Sequence, residues 1–270
     1  MKIVKQVLIL ISLVFLIGCG NEKIFSEKTS KITEIQEAGV LNLATSADYA
    51  PYEWHLVEGG KDKIVGFDID IAQIIADELG VELHISDLDF DGLIPALSTG
   101  KADLIISGMT PTAKRAESVD FSDIYISQED VVVVREEDMN QFNHLKTMDF
   151  VSWATQKATI QEEWLQTNYP DSDIQSVGQW GTAIVSLKTG KVDAILMVKA
   201  VAEQYVKQNE DLVIADIEEI GTQNDSAIAI RKGDTDLKNK VNEIIDSLNK
   251  SDMINTLYIE NTELMDENIN

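Results

Sequence analysis

The sequence predicts an α/β fold in which two lobes are joined by two strands. Strand and helix patterns alternate from residue 40 onward, which is typical of a mostly parallel sheet covered by helices on both faces. One helix–strand pattern is repeated ninety residues further along the chain. Two more strand patterns, at residues 128–135 and 225–234, stand where a chain would cross from one lobe to the other and return.

The N-terminal segment, residues 1–18, is expected to be a secretory signal peptide. Lys2 and Lys5 precede a largely apolar run at residues 7–17, which is too short to span a bilayer. The run ends in the letters LIGC, which resemble the lipobox of bacterial lipoproteins and imply that Cys19 receives a lipid. Cys19 is the only cysteine, so it has no disulfide partner within the chain. The alternative is an ordinary signal peptide followed by an incidental cysteine.

The rest of the chain is expected to divide into a tether and two lobes. Residues 19–35 are polar and lack periodicity, which predicts a flexible link between the lipid and the first lobe. We assign residues 36–128 and 225–262 to lobe 1 and residues 129–224 to lobe 2.

The charge of the chain limits its partners. Its formal net charge is −25, and removal of Lys2 and Lys5 with the signal peptide makes it −27. No basic face is visible, so nucleic acid is not an expected partner. The histidines are far apart and show no ligand spacing, so we expect neither a metal site nor a cofactor.

The elements of lobe 1 follow from their apolar spacing. The run IDIAQIIADELG has helical spacing closed by Gly80, and GLIPALSTG also ends in a glycine. Between these lie short apolar runs that indicate strands. The predicted elements are strands at 40–45, 81–85 and 102–108 and helices at 69–80 and 92–100. An apolar stripe at residues 237–248 predicts a last helix that packs back on lobe 1.

The repeated pattern consists of LSTGKADLIISG at 97–108 and LKTGKVDAILMV at 187–198. In each copy a helix ends at a glycine, a lysine and an aspartate form a turn, and a buried strand begins. We interpret the two copies as the same helix–strand unit, used once in each lobe. The alternative is a coincidence between two common helix–strand connections.

The stretch SGMTPTAKR, residues 107–115, predicts a ligand site. In an open parallel sheet, ligands bind beyond the carboxyl ends of the strands, where Ser107 to Thr110 are expected. Thr112 is placed to cap a short helix with Arg115 in its first turn. A guanidinium in that position favours a carboxylate held by two parallel hydrogen bonds. The alternative is a surface pair between Arg115 and Glu117 or Asp120.

Several motifs in order resemble the polar amino-acid-binding proteins of bacterial ABC importers. The motifs are ATSADYAPYEW, VGFDIDIAQIIADELG, FDGLIPALSTGKADLIISGMTPTAKRAESVDFSDIY, QKATIQEEW and GKVDA, and the similarity spans about residues 38–260. The resemblance implies a two-lobed, type II periplasmic-binding-protein-like fold, with two strand linkers as a hinge that closes on a ligand. It also implies a membrane permease with its ATPase as partner, and a monomer held by its lipid at the outer face of the cytoplasmic membrane.

In lobe 1 the resemblance assigns a role to each matching residue. Arg115 should bind the ligand α-carboxylate, while the Gly108 carbonyl and the Thr110 hydroxyl should accept hydrogen bonds from the α-ammonium. Ser107 belongs to the same segment. The ligand side chain should lie between two aromatic rings, Tyr49 and Phe90.

In lobe 2, Thr159 and Gln161 match the segment that meets the carboxylate from the other side. Gln156 matches a position facing the ligand side chain. Val198 stands where the family usually has an acidic residue that pairs with the α-ammonium. Another acid such as Glu53 then lies near the ammonium, or the ligand binds differently, or affinity is weak. Ala158 also replaces the family's common glycine.

The sequence leaves two other functions open. Some proteins of this fold are enzymes that remove water from small carboxylated acids, for which Glu53 and Glu129 are candidate acids or bases. The second open function is that of an extracellular sensor module, although no signalling domain follows residue 260. Ser46, where some relatives that bind basic ligands have aspartate, disfavours lysine or arginine as the ligand.

Overall fold

The computed structural model describes residues 30–142, 151–217, 220 and 223–268. The predicted signal peptide, Cys19 and most of the predicted tether lie outside the described residues. Within the described ranges, no helix has the length and apolar character needed to cross a membrane.

The strands belong to one large mixed sheet and one small antiparallel sheet. In chain order they are β1 (Val40–Thr45), β2 (Asp48–Tyr49), β3 (Glu53–Glu58), β4 (Lys61–Val65), β5 (Glu82–Asp87), β6 (Leu104–Ile105), β7 (Val119–Arg135), β8 (Trp153–Gln156), β9 (Ile174–Val177), β10 (Ala194–Val198), β11 (Leu212–Ile214) and β12 (Gln223–Arg231). The small sheet contains β2, β3 and β4.

Helices cover the faces of the large sheet. In chain order they are α1 (Lys31–Ala38), α2 (Phe67–Leu79), α3 (Phe90–Ser98), α4 (Ala113–Ala116), α5 (Ile160–Asn168), α6 (Trp180–Lys188), α7 (Lys199–Gln208), α8 (Thr235–Lys250) and α9 (Met253–Glu267). A 3₁₀ turn occupies Glu136–Gln141.

The large sheet passes through both lobes. Its strand order is β5-β1-β6-β12-β7-β10-β8-β9, and β11 also pairs with β7. The first part of β7 pairs with β12, whereas its last part, from Asp130 onward, pairs with β10. Lobe 1 is therefore built on β5, β1 and β6, lobe 2 on β10, β8 and β9, and β7 and β12 connect the lobes. This confirms the predicted two-lobed α/β architecture with two linking strands.

Packing explains most of the predicted elements. Helix α2 ends at Gly80, whose φ of 72° is left-handed, and the face of α2 toward the sheet is buried. Helix α8 buries the predicted apolar stripe and packs against β7 and α1. Strand β6 is shorter than the predicted strand at 102–108, and β7 extends well before residue 128.

The beginning of the domain differs from the prediction. Residues 31–35, expected to belong to the tether, lie in α1, which begins after the side-chain cap of Ser30. Ile35 is 1% exposed, and Lys31 Nζ lies 2.6 Å from Asp103 Oδ1. Ile32 also packs against the main core, and its N–H donates to Asp236 Oδ2 at 3.0 Å. Two isoleucines are too short a pattern to be recognised as a helix in the sequence. Helix α9 was also not predicted, because few of its residues are buried.

Candidate functional site

A cavity with about 350 Å³ of empty space lies between the lobes. It is found at the carboxyl ends of parallel strands in both lobes, where open α/β sheets bind ligands. Lobe 1 contributes Ser46, Tyr49, Phe90, Ser107, Gly108, Thr110 and Arg115. Lobe 2 contributes Gln156, Thr159, Ile160, Gln161 and Trp180, and the linking strand β12 contributes Asn224.

Arg115 lies at the cavity because α4 begins where the sequence predicts. Thr112 Oγ1 accepts a hydrogen bond from the Arg115 N–H at 3.1 Å. The guanidinium donates to Thr110 O at 2.6 Å and, across the cleft, to Ala158 O at 2.8 Å. Asp120 instead pairs with Lys232 at 3.1 Å, so the alternative surface pair with Asp120 is not formed.

The guanidinium is the charged group of the cavity lining. Burial lowers the pKa of Arg115 to about 10, so the side chain is still protonated at neutral pH. Its central carbon lies 5.4 Å from the centre of the Phe90 ring. Both guanidinium hydrogen bonds described above go to neutral carbonyls, so its positive charge is available for an anionic group of a ligand.

The segment after β6 requires the glycine at position 108. Gly108 has a φ of 53°, and a Cβ there would lie 2.8 Å from Tyr49 Cε1. Its N–H donates to Asp68 Oδ2 at 2.9 Å, and the neighbouring Ser107 Oγ donates to Glu53 Oε1 at 2.6 Å. The backbone therefore approaches the cavity closely, supported by two acidic side chains beneath it.

Glu53 lies behind the cavity lining. Glu53 and Asp68 are both 0% exposed. Burial raises the pKa of both carboxyl groups, and for Glu53 the charge of Asp68 adds to the effect. Glu53 is not among the lining residues and accepts a hydrogen bond from Ser107, which is, so it supports the binding segment.

Aromatic rings form the wall around the other end of the cavity. The Tyr49 and Trp180 rings are stacked, with centres 6.4 Å apart. Phe90 begins α3 and Trp180 begins α6, so the two repeated helix–strand units each place an aromatic residue at the start of their helix. Trp180 was missed in the sequence, although extending the repeat backward to these helix starts would have found it.

Thr159 and Gln161 reach the cavity from the start of α5. Thr159 caps that helix by accepting the Glu162 N–H at 3.2 Å, and its hydroxyl donates to Gln156 O at 2.6 Å. Ala158 has a left-handed φ of 63°, which explains why a glycine suits this position. The turn brings the Ala158 carbonyl to Arg115.

Val198 does not line the cavity, in contrast to the other predicted site residues. It is 1% exposed and belongs to the main hydrophobic core. Across the β10–β7 ladder it lies opposite Asp130. Strand β10 ends at this residue and runs directly into α7.

Direct contacts hold the lobes together around the cavity. Asp48 of lobe 1 accepts the Trp180 N–H through Oδ2 at 2.6 Å, and its backbone oxygen accepts from the Tyr205 hydroxyl at 3.2 Å. Lys157 Nζ lies 2.7 Å from Asp91 Oδ2. Burial raises the pKa of Asp48 to about 6. The structure is therefore a closed arrangement of the lobes.

This geometry defines a binding protein that encloses a small polar solute between two lobes. The chain belongs to the family of bacterial extracellular solute-binding proteins, family 3, whose model matches residues 41–261. The family places the protein outside the cytoplasm and makes it a binding protein, not an enzyme. The two acids considered for catalysis agree with this, because Glu53 lies behind the lining and the Glu129 side chain is 79% exposed.

Relatives of known specificity bind amino acids. The arginine-binding extracellular protein ArtP of Bacillus subtilis is 35% identical over 237 residues, which cover 85% of this chain and 86% of ArtP. The L-cystine-binding protein TcyJ of Escherichia coli K12 is 26% identical, covering 94% of this chain and 93% of TcyJ. The substrate-binding protein AbpA of a Streptococcus pneumoniae amino acid ABC transporter, solved with L-arginine, is 33% identical with a TM-score of 0.84, covering 86% of this chain and 98% of AbpA.

Proposed function

We propose that the protein captures an L-α-amino acid by closing its lobes and delivers it to the permease of an ABC importer. The observation that supports this is the half-buried guanidinium of Arg115, the charged group of the cavity lining. Arg115 binds the α-carboxylate, and on its other side stand the backbone N–H groups at the start of α5, where Thr159 and Gln161 lie. The Gly108 carbonyl and the Thr110 hydroxyl accept hydrogen bonds from the α-ammonium. Closure is driven by the higher affinity of the closed form for the ligand.

The side chain of the preferred amino acid is cationic, and L-arginine is the first candidate. Tyr49, Phe90 and Trp180 provide aromatic faces that attract a guanidinium. Asp48 lies beside this wall, and its Oδ1 is buried without a hydrogen-bond partner among the described residues. Two of the relatives above also bind arginine. Ser46, which on sequence disfavours a basic ligand, supplies no charge for its side chain; in this proposal Asp48 supplies that charge.

The protein acts as a monomer at the outer face of the cytoplasmic membrane. Residues 1–18 direct export, and the lipid on Cys19 retains the protein beside the permease and its ATPase. Substitution of Cys19 by serine should release the protein into the medium or leave it unprocessed. Unchanged retention in the membrane fraction would contradict the anchor.

Binding is tested by thermal unfolding and calorimetry of the full chain in detergent, with the twenty amino acids, L-ornithine and L-cystine. At a hundred times its Kd, a ligand stabilises the folded protein by about 2.7 kcal/mol, which raises Tm by several degrees in a protein of this size. We expect the largest increase with L-arginine. A neutral amino acid as the strongest ligand would contradict the cationic preference, and no shift with any of them would contradict amino-acid capture.

A further inference from the structure

Among the described residues that line the cavity, none has an acidic side chain, although an amino acid brings a positive ammonium as well as a carboxylate. Of its lining residues, Arg115 alone carries a formal charge. An ammonium taken out of water needs hydrogen-bond acceptors with negative charge near them, or its desolvation opposes binding. The residues behind the lining therefore matter for which zwitterion the closed cavity accepts.

Asp130 is the acid directly connected to the ammonium end of the cavity. It lies in β7, where that strand leaves lobe 1, and is 7% exposed. Its Oδ1 accepts hydrogen bonds from Gln161 Nε2 at 2.8 Å and from Asn224 Nδ2 at 3.2 Å. Asn224 Oδ1 in turn accepts from the Thr110 hydroxyl at 2.6 Å. Asp130 thus contacts one lining residue from lobe 2 and one from the linking strand.

These hydrogen bonds fix the polarity of the lining. Because Asn224 directs its NH₂ group to Asp130, its amide oxygen faces Thr110 and takes the hydroxyl proton. The Thr110 oxygen then presents only lone pairs to the cavity, which is the polarity that an ammonium requires. Gln161 likewise uses its NH₂ group on Asp130, so its amide oxygen is the atom left to accept a proton. An amide in place of the carboxylate would allow both side chains to reverse.

The negative charge of Asp130 also reaches the aromatic wall. Burial raises the pKa of the Tyr49 hydroxyl, and the charge of Asp130 is the next largest cause. The other buried acids near the cavity contact different residues: Asp68 and Glu53 accept from Gly108 and Ser107, and Asp48 accepts from the start of α6.

We infer that Asp130 is the positioning residue through which the cavity selects ligands with an α-ammonium. It acts through Asn224, Thr110 and Gln161, whose acceptor atoms it directs toward the ligand, and its charge compensates that of the ammonium. This inference rests on the proposed capture of an α-amino acid.

The test compares each amino acid with the acid that lacks its α-amino group. The probes are L-arginine, L-histidine and L-glutamine, paired with 5-guanidinopentanoate, 3-(imidazol-4-yl)propanoate and glutaramate. Calorimetry on the full chain gives the affinity ratio within each pair. In Asp130→Asn we expect the affinity for the amino acid to fall about tenfold to a hundredfold, with little change for the deaminated acid. The ratio of the affinity for the amino acid to that for its deaminated acid, which measures selection of the ammonium, then falls by the same factor.

Glu129→Gln is the matched control, because Glu129 is the neighbouring carboxylate on β7 and its side chain is 79% exposed. It removes the same charge and should leave every ratio unchanged. An unchanged ratio in Asp130→Asn, or an equal loss for both members of a pair together with a large drop in ligand-free Tm, would overturn the inference. If Asp130→Asn is too unstable to purify, Asn224→Ala is measured in the same way, and an unchanged ratio there has the same consequence. A wild-type protein that binds none of the amino acids would instead contradict the proposed function.

Discussion

The repeated units at 97–108 and 187–198 have the same structure up to the ends of their strands. After the strand, only the first unit places polar groups at the cavity. In both units the helix ends before a left-handed glycine, Gly100 with a φ of 75° and Gly190 with a φ of 71°. The glycine N–H donates to a helix carbonyl at 3.1 Å in each case. The turn geometry is therefore the same in both lobes.

The aspartates of the two units make equivalent hydrogen bonds and ion pairs. Asp103 Oδ2 accepts from the backbone N–H of Asn42 at 2.9 Å, and Asp193 Oδ2 accepts from the backbone N–H of Ser152 at 3.0 Å. Each aspartate also has a cation, Lys31 for Asp103 and Arg135 for Asp193. These bonds join the start of each strand to a neighbouring strand. The sequence repeat therefore corresponds to a repeated structural unit and is not a chance similarity in sequence.

The units differ in the residues that come after the strand. In lobe 1, β6 leads into Ser107 and Gly108, whose backbone turns into the cavity. In lobe 2, β10 ends at the buried Val198 and continues as α7. The helix–strand unit thus provides the scaffold, whereas the few residues after the strand decide whether that lobe contributes charge. Lobe 1 contributes the charge, and lobe 2 closes over it with neutral groups.

Among the tests of this difference between the lobes, we expect the largest effect from Arg115→Ala. Removal of the charged group of the lining should weaken amino-acid binding by about 3 kcal/mol or more, at least a hundredfold, because the ligand carboxylate would be enclosed without a counter-charge. Calorimetry with L-arginine, or with the strongest ligand found, measures the loss. Lys114→Ala is the control, since Lys114 is exposed on the same helix. A large drop in ligand-free Tm with affinity retained would make Arg115 a structural residue.

A second test places an acidic side chain at the last residue of β10 in lobe 2. Val198→Asp places a carboxylate in the core opposite Asp130, so we expect the free energy of unfolding to fall by about 3 kcal/mol or more, without tighter binding. Val185→Asp is the matched control, because Val185 is 59% exposed on α6 and should change stability little. Urea unfolding compares the two variants. Tighter binding by Val198→Asp with stability retained would show that position 198 can reach the ligand.

The sequence was sufficient for the fold because strand and helix alternate with clear apolar spacing and because the unit repeats. It also placed Arg115 and Thr110 beyond the end of a predicted strand, and the family resemblance added Thr159; all three residues line the same cavity. Asn224 and Asp130 could not be found in this way. They lie on the linking strands, and their distance from the ligand depends on how β7, β10 and β12 align.

Val198 is a different case. Its position in the motif suggests a ligand contact, whereas in the structure it is 1% exposed, belongs to the main core and is not among the lining residues. Helices α1 and α9 were missed for a simpler reason. Each has a short apolar stripe, Ile32 and Ile35 in α1 and Ile254, Leu257 and Tyr258 in α9, and these few residues were not recognised as a helical pattern.

The smallest test concerns the part that the two units share. Asp103→Asn removes the nearer anion of Lys31 and leaves it Glu34 at 3.7 Å. The side chains of the Lys31–Asp103 pair are only 12% and 6% exposed, so we expect a cost of about 1–3 kcal/mol. Asp193→Asn should cost less than about 1 kcal/mol, because the Asp193 side chain is 42% exposed and its pair with Arg135 is screened by water. Urea unfolding of the ligand-free protein at pH 7 measures both. An equal or larger cost for Asp193→Asn would mean that the two aspartates do not have the ranking that burial predicts, and that the shared turn of lobe 2 depends more on its ion pair than that of lobe 1.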